Sequence, residues 1–291
     1  MDQRIINLYD RFTHGGMNRR DFLEQLAGLT GSVAAAAAIL PLLQNDYARA
    51  AIVPEGNARL RTERISYDSP AGKIGGYLVR GTATAKRPAV VVIHENRGLN
   101  PHIEDVARRM ALEGFVALAP DLLSVSGGTP ATEDAAREQH QRTDQGKMLE
   151  AAVAAVGVMR SHPESTGNVG AVGFCFGGTT VNRMAVASPD LKAAVPYYGG
   201  QPPAEQVPRI QAALLLQYAG VDERINAGIP AYEAALKANN KRYTMFMYEG
   251  AQHSFNNDTS GPRYHKEAAE LAWSRTIAFL KQELGAPPPV T

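Results

Sequence analysis

The chain has 291 residues, of which 44% are hydrophobic and 20% are charged, so it is long and apolar enough for one large globular domain or two small ones. Its 30 basic and 29 acidic residues leave a net charge of +1. A chain so nearly neutral has no broad electrostatic field that would attract nucleic acid or anionic lipid, and we therefore expect a small-molecule partner.

The N-terminal segment has the composition of an export signal. The pair Arg19-Arg20 is followed by a weakly apolar stretch over residues 26–43 and by the small-residue sequence ARA at residues 48–50. This order of basic, apolar and cleavable segments is similar to a twin-arginine export signal. It predicts a protein that is exported to the periplasm.

The corresponding domain prediction is a signal over residues 1–50 and a folded domain over residues 51–291. Because the apolar stretch is rich in Ala and Gly, we expect no stable membrane insertion after export. Two alternatives remain open, a surface helix packed on the domain and an anchor that is not cleaved. In those cases the protein would be cytoplasmic or tethered to a membrane.

From residue 60 onward, short apolar runs alternate with amphipathic segments. Two runs with alternating polar and apolar residues flank the turn PAGK and predict an antiparallel pair, whereas the continuous run AVVVIHE predicts a strand buried on both faces. Strands are predicted at residues 64–69, 74–80, 89–95, 115–121, 168–174, 192–199, 212–220 and 243–250, and helices at 101–113, 147–160, 178–188, 229–240 and 262–284. These repeated units predict an α/β fold with one doubly wound, mostly parallel sheet and helices on both faces.

The only cysteine stands in the sequence Gly173-Phe174-Cys175-Phe176-Gly177, between a predicted strand and a predicted helix. A single cysteine excludes an intrachain disulfide. Glycine is needed two positions to either side of a nucleophile where a sharp strand-to-helix turn leaves no space for side chains, and a helix N-terminus favours a thiolate. Cys175 is therefore a candidate nucleophile, with a packed core cysteine as the alternative.

An acid and a histidine follow this elbow in the order that a catalytic triad on such a sheet requires. Asp222 comes after the predicted strand 212–220, and His253 comes after the predicted strand 243–250. A thiol nucleophile needs a base and the base needs an orienting carboxylate, so we predict that Cys175, His253 and Asp222 meet at one edge of the sheet. Taken singly, Asp222 could be a turn or helix-cap residue and His253 an ordinary loop residue.

Five segments, HENRG, APDL, GFCFGG, GVDE and GAQHSF, resemble the dienelactone hydrolase family of α/β-hydrolases. The resemblance covers about residues 60 to 284, and a cysteine elbow combined with HE after a core strand is specific to that family. It implies an α/β-hydrolase fold for the catalytic domain. It also implies that Cys175 is the nucleophile, His253 the base and Asp222 its orienting partner.

The resemblance further implies a role for Glu95, which matches a family glutamate that contacts the nucleophile at rest and helps to generate the thiolate. Independently, a charge at the end of a buried strand is costly unless it is paired, and a salt bridge from Glu95 to Arg97 or Arg108 is the alternative. The family also implies an oxyanion hole made by the backbone N–H groups of Asn96 and Phe176.

Two positions depart from the family pattern. Dienelactone hydrolases hold the substrate carboxylate with two arginines, whereas this chain has LSV at residues 123–125 and Asn257 at the matching places. Dienelactone itself is therefore a doubtful substrate. Arg97 is a candidate replacement contact for an acidic group, with a plain surface role as the alternative.

The remaining predictions concern the pocket and its contents. The polar segment 124–146 is long for a connection and is expected to border the pocket or to form a solvated helix. His94 and His102 are predicted to be structural, and no His or Cys spacing indicates a metal site or a cofactor.

Together these observations predict a hydrolase that opens a small ester or lactone through a thioester acyl-enzyme. A broad carboxylesterase or thioesterase is the alternative within enzymes. A binding protein that kept the fold without turnover is the alternative outside them.

Overall fold

An eight-stranded sheet forms the centre of the computed structural model, which describes residues 1–47, 52–285 and 290. The strands lie in the order β1-β2-β4-β3-β5-β6-β7-β8. Pairing is antiparallel from β1 to β2 and from β2 to β4, and parallel across the rest of the sheet. The strand bounds are β1 (Leu60–Ser69), β2 (Gly72–Gly81), β3 (Arg87–Ile93), β4 (Val116–Pro120), β5 (Ser165–Phe174), β6 (Leu191–Tyr197), β7 (Ala213–Val221) and β8 (Tyr243–Gln252).

Helices cover both faces of this sheet. Buried residues of α4 and α10 pack on one face, and those of α6, α7 and α9 pack on the other. Because helices cover both faces, β3 is buried along its whole length. Burial on both faces explains why its sequence is a nearly continuous apolar run. The helix bounds are α1 (Gln3–Thr13), α2 (Arg19–Thr30), α3 (Val33–Leu43), α4 (Pro101–Leu112), α5 (Glu133–Arg142), α6 (Gln145–Ser161), α7 (Phe176–Ala187), α8 (Glu223–Asn226), α9 (Ile229–Ala238) and α10 (Lys266–Leu284).

The predicted fold class is confirmed, since the sheet is mostly parallel and doubly wound with helices around it. Every predicted strand is present, and each boundary lies close to its predicted position. Helix α5 lies within the segment 124–146 and corresponds to the solvated helix considered there; its sequence is so polar that only Ala136 and Arg137 are buried.

The N-terminal helices α1, α2 and α3 form a small core of their own on the catalytic domain. Phe12 and Phe22 stack with ring centroids 4.3 Å apart inside this core. The guanidinium of Arg137 lies over the Phe12 ring at 4.2 Å, and Arg97 donates a hydrogen bond to the hydroxyl of Tyr9 at 3.3 Å. Residues 1–43 therefore have the form of the packed alternative, although export itself stays a prediction.

The predicted cleavage site at residues 48–50 lies outside the described residues. Across the described ranges, no single helix is both long and apolar enough to cross a membrane; α2 and α3 reach that length and composition only as a pair, bent by 110°.

The turn from β5 into α7 passes very close to neighbouring backbone. A Cβ atom added at Gly173 would lie 2.2 Å from the carbonyl oxygen of Gly177, and one added at Gly177 would lie 2.3 Å from the carbonyl oxygen of Ile93. These contacts are with main-chain atoms, which cannot rotate away. The glycines are thus a steric requirement of the turn, as the sequence predicts.

We expect Gly177→Ala to lower the free energy of unfolding by about 1–3 kcal/mol or more, because the new methyl group forces the end of β3 away from α7. Denaturant unfolding of the purified protein measures this change. Gly157→Ala is the matched control, since a Cβ at this position in α6 meets nothing within 4 Å. It should raise stability by about 0.5–1 kcal/mol, and an equal loss in both variants would contradict the steric explanation.

Candidate active site

Cys175 sits at the start of α7 in a left-handed backbone conformation, with φ of 57° and ψ of −115°. A residue other than glycine is strained there and persists only where the surroundings fix it. Its N–H donates to the carbonyl of Tyr197 at 3.1 Å, and its own carbonyl accepts from Thr179 at 3.0 Å. The elbow therefore holds the thiol at the carboxyl ends of the strands, where it is 6% exposed.

Asp222 and His253 meet at the same edge of the sheet. Asp222 directly follows β7, and its Oδ2 lies 2.5 Å from Nδ1 of His253, which directly follows β8. The other carboxylate oxygen of Asp222 accepts a hydrogen bond from the Ile225 backbone N–H at 3.3 Å. Asp222 is thus both the helix cap considered from the sequence and a partner of the histidine.

The second ring nitrogen of His253 is turned toward the thiol. Since Nδ1 pairs with Asp222, Nε2 remains for acid–base chemistry, and it has no hydrogen-bond partner within the described part of the chain. A ring nitrogen of His253 lies within 4.8 Å of the sulfur of Cys175. Tyr198 packs beside this ring with centroids 5.0 Å apart. The structure thus brings the three predicted triad residues together.

The electrostatics of this group favour a thiolate. Burial alone raises the pKa of the Cys175 thiol, but the positive charges of His14 and His253 outweigh it and lower the pKa to about 6. Burial lowers the pKa of His253, yet the negative charges of Cys175 and Asp222 hold it well above its usual range. A thiolate beside an imidazolium is therefore the favoured state near neutral pH.

His14, at the end of α1, is the residue that the sequence analysis missed. Its Nε2 lies 3.2 Å from the sulfur of Cys175, and its ring packs edge-on against that of His253 with centroids 4.8 Å apart. A segment interpreted as an export signal is not expected to contribute a residue to the active site. The apolar spacing of α1, whose buried residues include Ile5, Leu8 and Phe12, could have indicated a helix packed on a folded domain.

Within the described ranges no hydrogen bond joins Glu95 to the thiol, so the predicted contact is not observed. Its carboxylate accepts hydrogen bonds from the hydroxyl of Ser254 at 3.3 Å and from the amide of Asn257 at 2.8 Å. Burial raises the pKa of Glu95, but the positive charges of Arg97 and two other side chains, His102 and Arg263, bring it below its usual range. Neither salt bridge considered from the sequence forms; Glu95 instead fixes the loop that carries His253.

A cavity lies beside Cys175, and its lining includes Asn96, from the loop after β3, and Phe176. The side chain of Asn96 donates to the carbonyl of Thr13 at 2.7 Å, which joins this loop to the end of α1. Within the residues that the structure covers, neither the backbone N–H of Asn96 nor that of Phe176 donates to a main-chain acceptor. Whether they bind an oxyanion stays a prediction.

Arg97 does not line the cavity, and its prediction as a substrate contact is not supported. Its guanidinium is buried against Glu133, at 3.4 Å, and the hydroxyl of Tyr9. Arg224 does line the cavity beside the thiol, and it lies 3.7 Å from the carboxylate of Asp10. The residues in place of the family's two arginines have other roles: Ser124 accepts from the Gly75 N–H, and Asn257 holds Glu95.

The cavity beside Cys175 has a volume of about 250 Å³. Its wall includes three residues of the segment 124–146, namely His140, Gln141 and Gln145, so the prediction that this segment borders the pocket is confirmed. Burial and nearby histidine charge lower the pKa of His140 to about 4, which makes it a neutral part of the wall near pH 7.

His94 and His102 lie outside this cavity, as expected for structural residues. His94 bridges the Glu95 carbonyl, at 2.6 Å, and the Leu122 N–H, at 3.1 Å, while His102 lies 2.9 Å from Asp258.

The thiol and the two imidazoles beside it could also hold a metal ion, because one such atom from each of His14, Cys175 and His253 lies within 4.8 Å of the others. Spacing along the chain could not indicate this group, since its members lie far apart in sequence. A metal ion would bind the same sulfur and nitrogen atoms that exchange protons in a catalytic triad. These atoms can therefore serve either a metal ion or proton exchange, but not both at once.

Comparison with known proteins finds two family models that match the chain. Residues 74–284 match the dienelactone hydrolase family, and residues 1–32 match a YqhI-like family. A "Putative carboxymethylenebutenolidase" from Saccharolobus solfataricus is 32% identical over 261 residues, which is 76% of this chain and 98% of that protein. A "Putative hydrolase fragment YghX" from Escherichia coli is 50% identical over 112 residues, covering 38% of this chain and 96% of the fragment.

Solved structures agree with this assignment. The crystal structure of a "Putative Dienelactone Hydrolase" from Klebsiella pneumoniae is similar with a TM-score of 0.69 and 27% sequence identity, over 77% of this chain and 99% of that one. Its fold and the matched sequence range both correspond to the domain that carries Cys175, Asp222 and His253. The chain belongs to the dienelactone hydrolase family of hydrolases with an α/β-hydrolase fold.

Proposed function

We propose that this protein hydrolyses a small carboxylic ester or lactone with Cys175 as the nucleophile. The observation that carries the proposal is the arrangement at the sheet edge, where a strained cysteine elbow lies beside a histidine that is paired with Asp222 at 2.5 Å. This geometry fits the requirements of nucleophilic acyl transfer, which needs a nucleophile, a base and an orienter in contact.

In the first half of the reaction, the Cys175 thiolate attacks the carbonyl carbon of the substrate. The sulfur lone pair forms the S–C bond, and the carbonyl π electrons move to oxygen, where the N–H groups of Asn96 and Phe176 stabilise the charge. When the tetrahedral intermediate collapses, the C–O bond to the leaving oxygen breaks. The His253 imidazolium gives its proton to that oxygen, and a thioester remains on the enzyme.

In the second half, the neutral ring of His253 takes a proton from water, and the resulting hydroxide attacks the thioester. The C–S bond breaks, the acid leaves, and Cys175 returns to its thiolate form with His253 again protonated. Asp222 stabilises that imidazolium and holds Nδ1 as the donor, so that Nε2 exchanges protons in both halves.

The size and lining of the cavity support a small substrate. A volume of about 250 Å³ is below the range of typical drug-sized pockets. The name of the Saccharolobus relative refers to a butenolide, which is a lactone. Because the family's arginine pair is absent here, a broader carboxylesterase or thioesterase activity is the nearest alternative to dienelactone opening.

We expect Cys175→Ala to reduce the turnover of activated esters and lactones by at least about 10³-fold, because no other described nucleophile occupies the elbow. Intact-mass measurement of the reduced wild type should show an acyl adduct that disappears on hydrolysis. Cys175→Ser is the matched control for shape, and it should bind the same compounds while turning them over slowly.

The result that contradicts the proposal is a folded, reduced wild type with neither turnover nor an adduct. In that case the protein is a binding protein on a hydrolase fold, and binding of the unreacted ester or lactone to wild type and Cys175→Ala should be equal.

Arg224 is the candidate contact for an acidic substrate group, since its guanidinium borders the cavity. We expect Arg224→Ala to raise KM about 10-fold for anionic esters and to leave KM for neutral esters within 2-fold, because a charge-assisted hydrogen bond contributes about 1.5–3 kcal/mol. Steady-state kinetics on a matched pair of substrates measures this difference. An equal change for both substrates excludes anion recognition by Arg224.

We also propose that the protein is exported. The pair Arg19-Arg20 and the alanine-rich stretch after it support this, although Arg19 forms an ion pair with Asp134 of the catalytic domain and the matched YqhI-like family covers the same segment. Twin-arginine export carries folded proteins, so a docked segment is compatible with it.

We expect a double substitution, Arg19→Lys with Arg20→Lys, to move the protein from the periplasmic to the cytoplasmic fraction. Cell fractionation with intact-mass measurement of each fraction checks both location and cleavage. A wild type that stays full-length in the cytoplasm refutes export, and a control pair of substitutions at Arg4 and Arg11 should leave the location unchanged.

A further inference from the structure

The shortest polar contact that the structure shows for the sulfur of Cys175 is with a histidine outside the expected triad. Nε2 of His14 lies 3.2 Å from the sulfur of Cys175, whereas Nε2 of His253 has no hydrogen-bond partner within the described ranges. The family resemblance predicts a glutamate at the resting thiol, but Glu95 is bound to Ser254 and Asn257. The position next to the thiol is thus taken by His14.

His14 has an aspartate partner of its own, so two histidine–aspartate pairs flank the sulfur. Nδ1 of His14 lies 2.7 Å from the backbone carbonyl oxygen of Asp10 and 3.1 Å from its carboxylate. A carbonyl oxygen only accepts, so Nδ1 carries a proton in this arrangement. Nε2 must then either accept the thiol proton as a neutral ring or donate to the thiolate as an imidazolium.

The segment that carries His14 is fixed on the catalytic domain by specific contacts. The carbonyl of Thr13, the preceding residue, accepts a hydrogen bond from the Asn96 side chain at 2.7 Å. Arg137 lies over Phe12, two residues earlier. His14 is itself mostly buried, with 17% of its side chain exposed. The contact with the thiol is therefore part of a packed interface.

We propose that His14 is a second histidine of the active site, which keeps Cys175 in its thiolate form before substrate binds, while His253 performs the proton transfers of turnover. The thiol proton moves to Nε2 of His14, which then donates a hydrogen bond to the sulfur. His253 takes its own proton from solvent. The role in turnover rests on the hydrolase function proposed above, whereas the ionisation of the thiol does not.

The charges around the pair are consistent with this assignment. Burial lowers the pKa of His14, but the negative charge of Cys175 and the hydrogen bond to Asp10 raise it above its ordinary value. Among the groups that lower the pKa of Cys175, the charge of His14 has the largest effect. The other titratable or charged groups that face this pair are His253, Asp222, Asp10, Arg224, His140 and Tyr198.

Alkylation of the full-length protein by iodoacetamide tests the ionisation step without any substrate. The single cysteine makes intact mass a direct readout, and EDTA in all samples excludes an effect of bound metal. In the wild type, the alkylation rate should rise with a midpoint near pH 6. In His14→Gln, loss of the cationic partner should move the midpoint up by at least about one pH unit, so that the rate at pH 6 falls at least about 5-fold while the rate at pH 9.5 changes less than about 2-fold.

Asn7→Ala is the matched control, because Asn7 is an exposed residue of the same helix whose side-chain contact is with Gln3 of that helix. Its profile should equal that of the wild type. Asp10→Asn keeps the His14 ring and should give a smaller shift in the same direction. If His14→Gln misfolds, as seen by circular dichroism, Asp10→Asn still carries the test.

Acyl-enzyme kinetics separates the two histidines. At pH 6, His14→Gln should slow formation of the acyl-enzyme at least about 5-fold and leave its hydrolysis within about 2-fold of the wild type. With an activated ester, whose leaving group departs without a proton, His253→Ala should form the adduct and retain it, because no base activates water.

An alkylation midpoint in His14→Gln equal to that of the wild type overturns the proposal. So does a loss of reactivity that is the same at every pH, since it would mean that His14 only packs the site. A shifted midpoint in a protein that hydrolyses no ester or lactone supports the role of His14 and refutes the proposed hydrolase function instead.

Discussion

The backbone of Cys175 is the constraint on which the rest of the site depends. A left-handed conformation at a residue with a side chain costs roughly 1–3 kcal/mol and needs support from its surroundings. That support comes from the close approach of α7 to β3, which only glycine at position 177 permits, and from the hydrogen bond to Tyr197. Because the elbow is fixed in this way, the sulfur stands in one place, and β7 and β8 bring Asp222 and His253 to it.

Burial of several charges at one edge of a sheet is stable only when they compensate one another. Two anions, the Cys175 thiolate and Asp222, lie beside the cationic ring of His253, and Asp10 adds a third anion that pairs with His14 and Arg224. Removing one partner from such a group leaves an uncompensated charge, which is costly. The acid–base properties of the thiol therefore belong to the group as a whole.

The sequence predicted those features that follow from the order of strands along the chain. Since parallel strands end at one edge, Cys175, Asp222 and His253 could be placed together from their positions after three strands. The contact of His14 with Cys175 spans 161 residues and depends on how α1 docks, which no local pattern encodes. The partners of Glu95 and Arg97 could not be predicted either. Several acceptors and donors of equal chemistry lie within reach of each side chain, and tertiary packing selects among them.

The N-terminal segment links location to chemistry. If cleavage occurred after Ala50, the mature protein would lose His14 together with Asp10, and the thiol would keep only His253 as a cationic neighbour. Its pKa would then rise, since burial would be opposed by one imidazolium instead of two. A precursor with the segment in place and a cleaved product would thus differ in nucleophile reactivity near neutral pH. Retention of residues 1–43 therefore keeps His14 beside the thiol, whereas export with cleavage would leave Cys175 with only His253 and its partner Asp222.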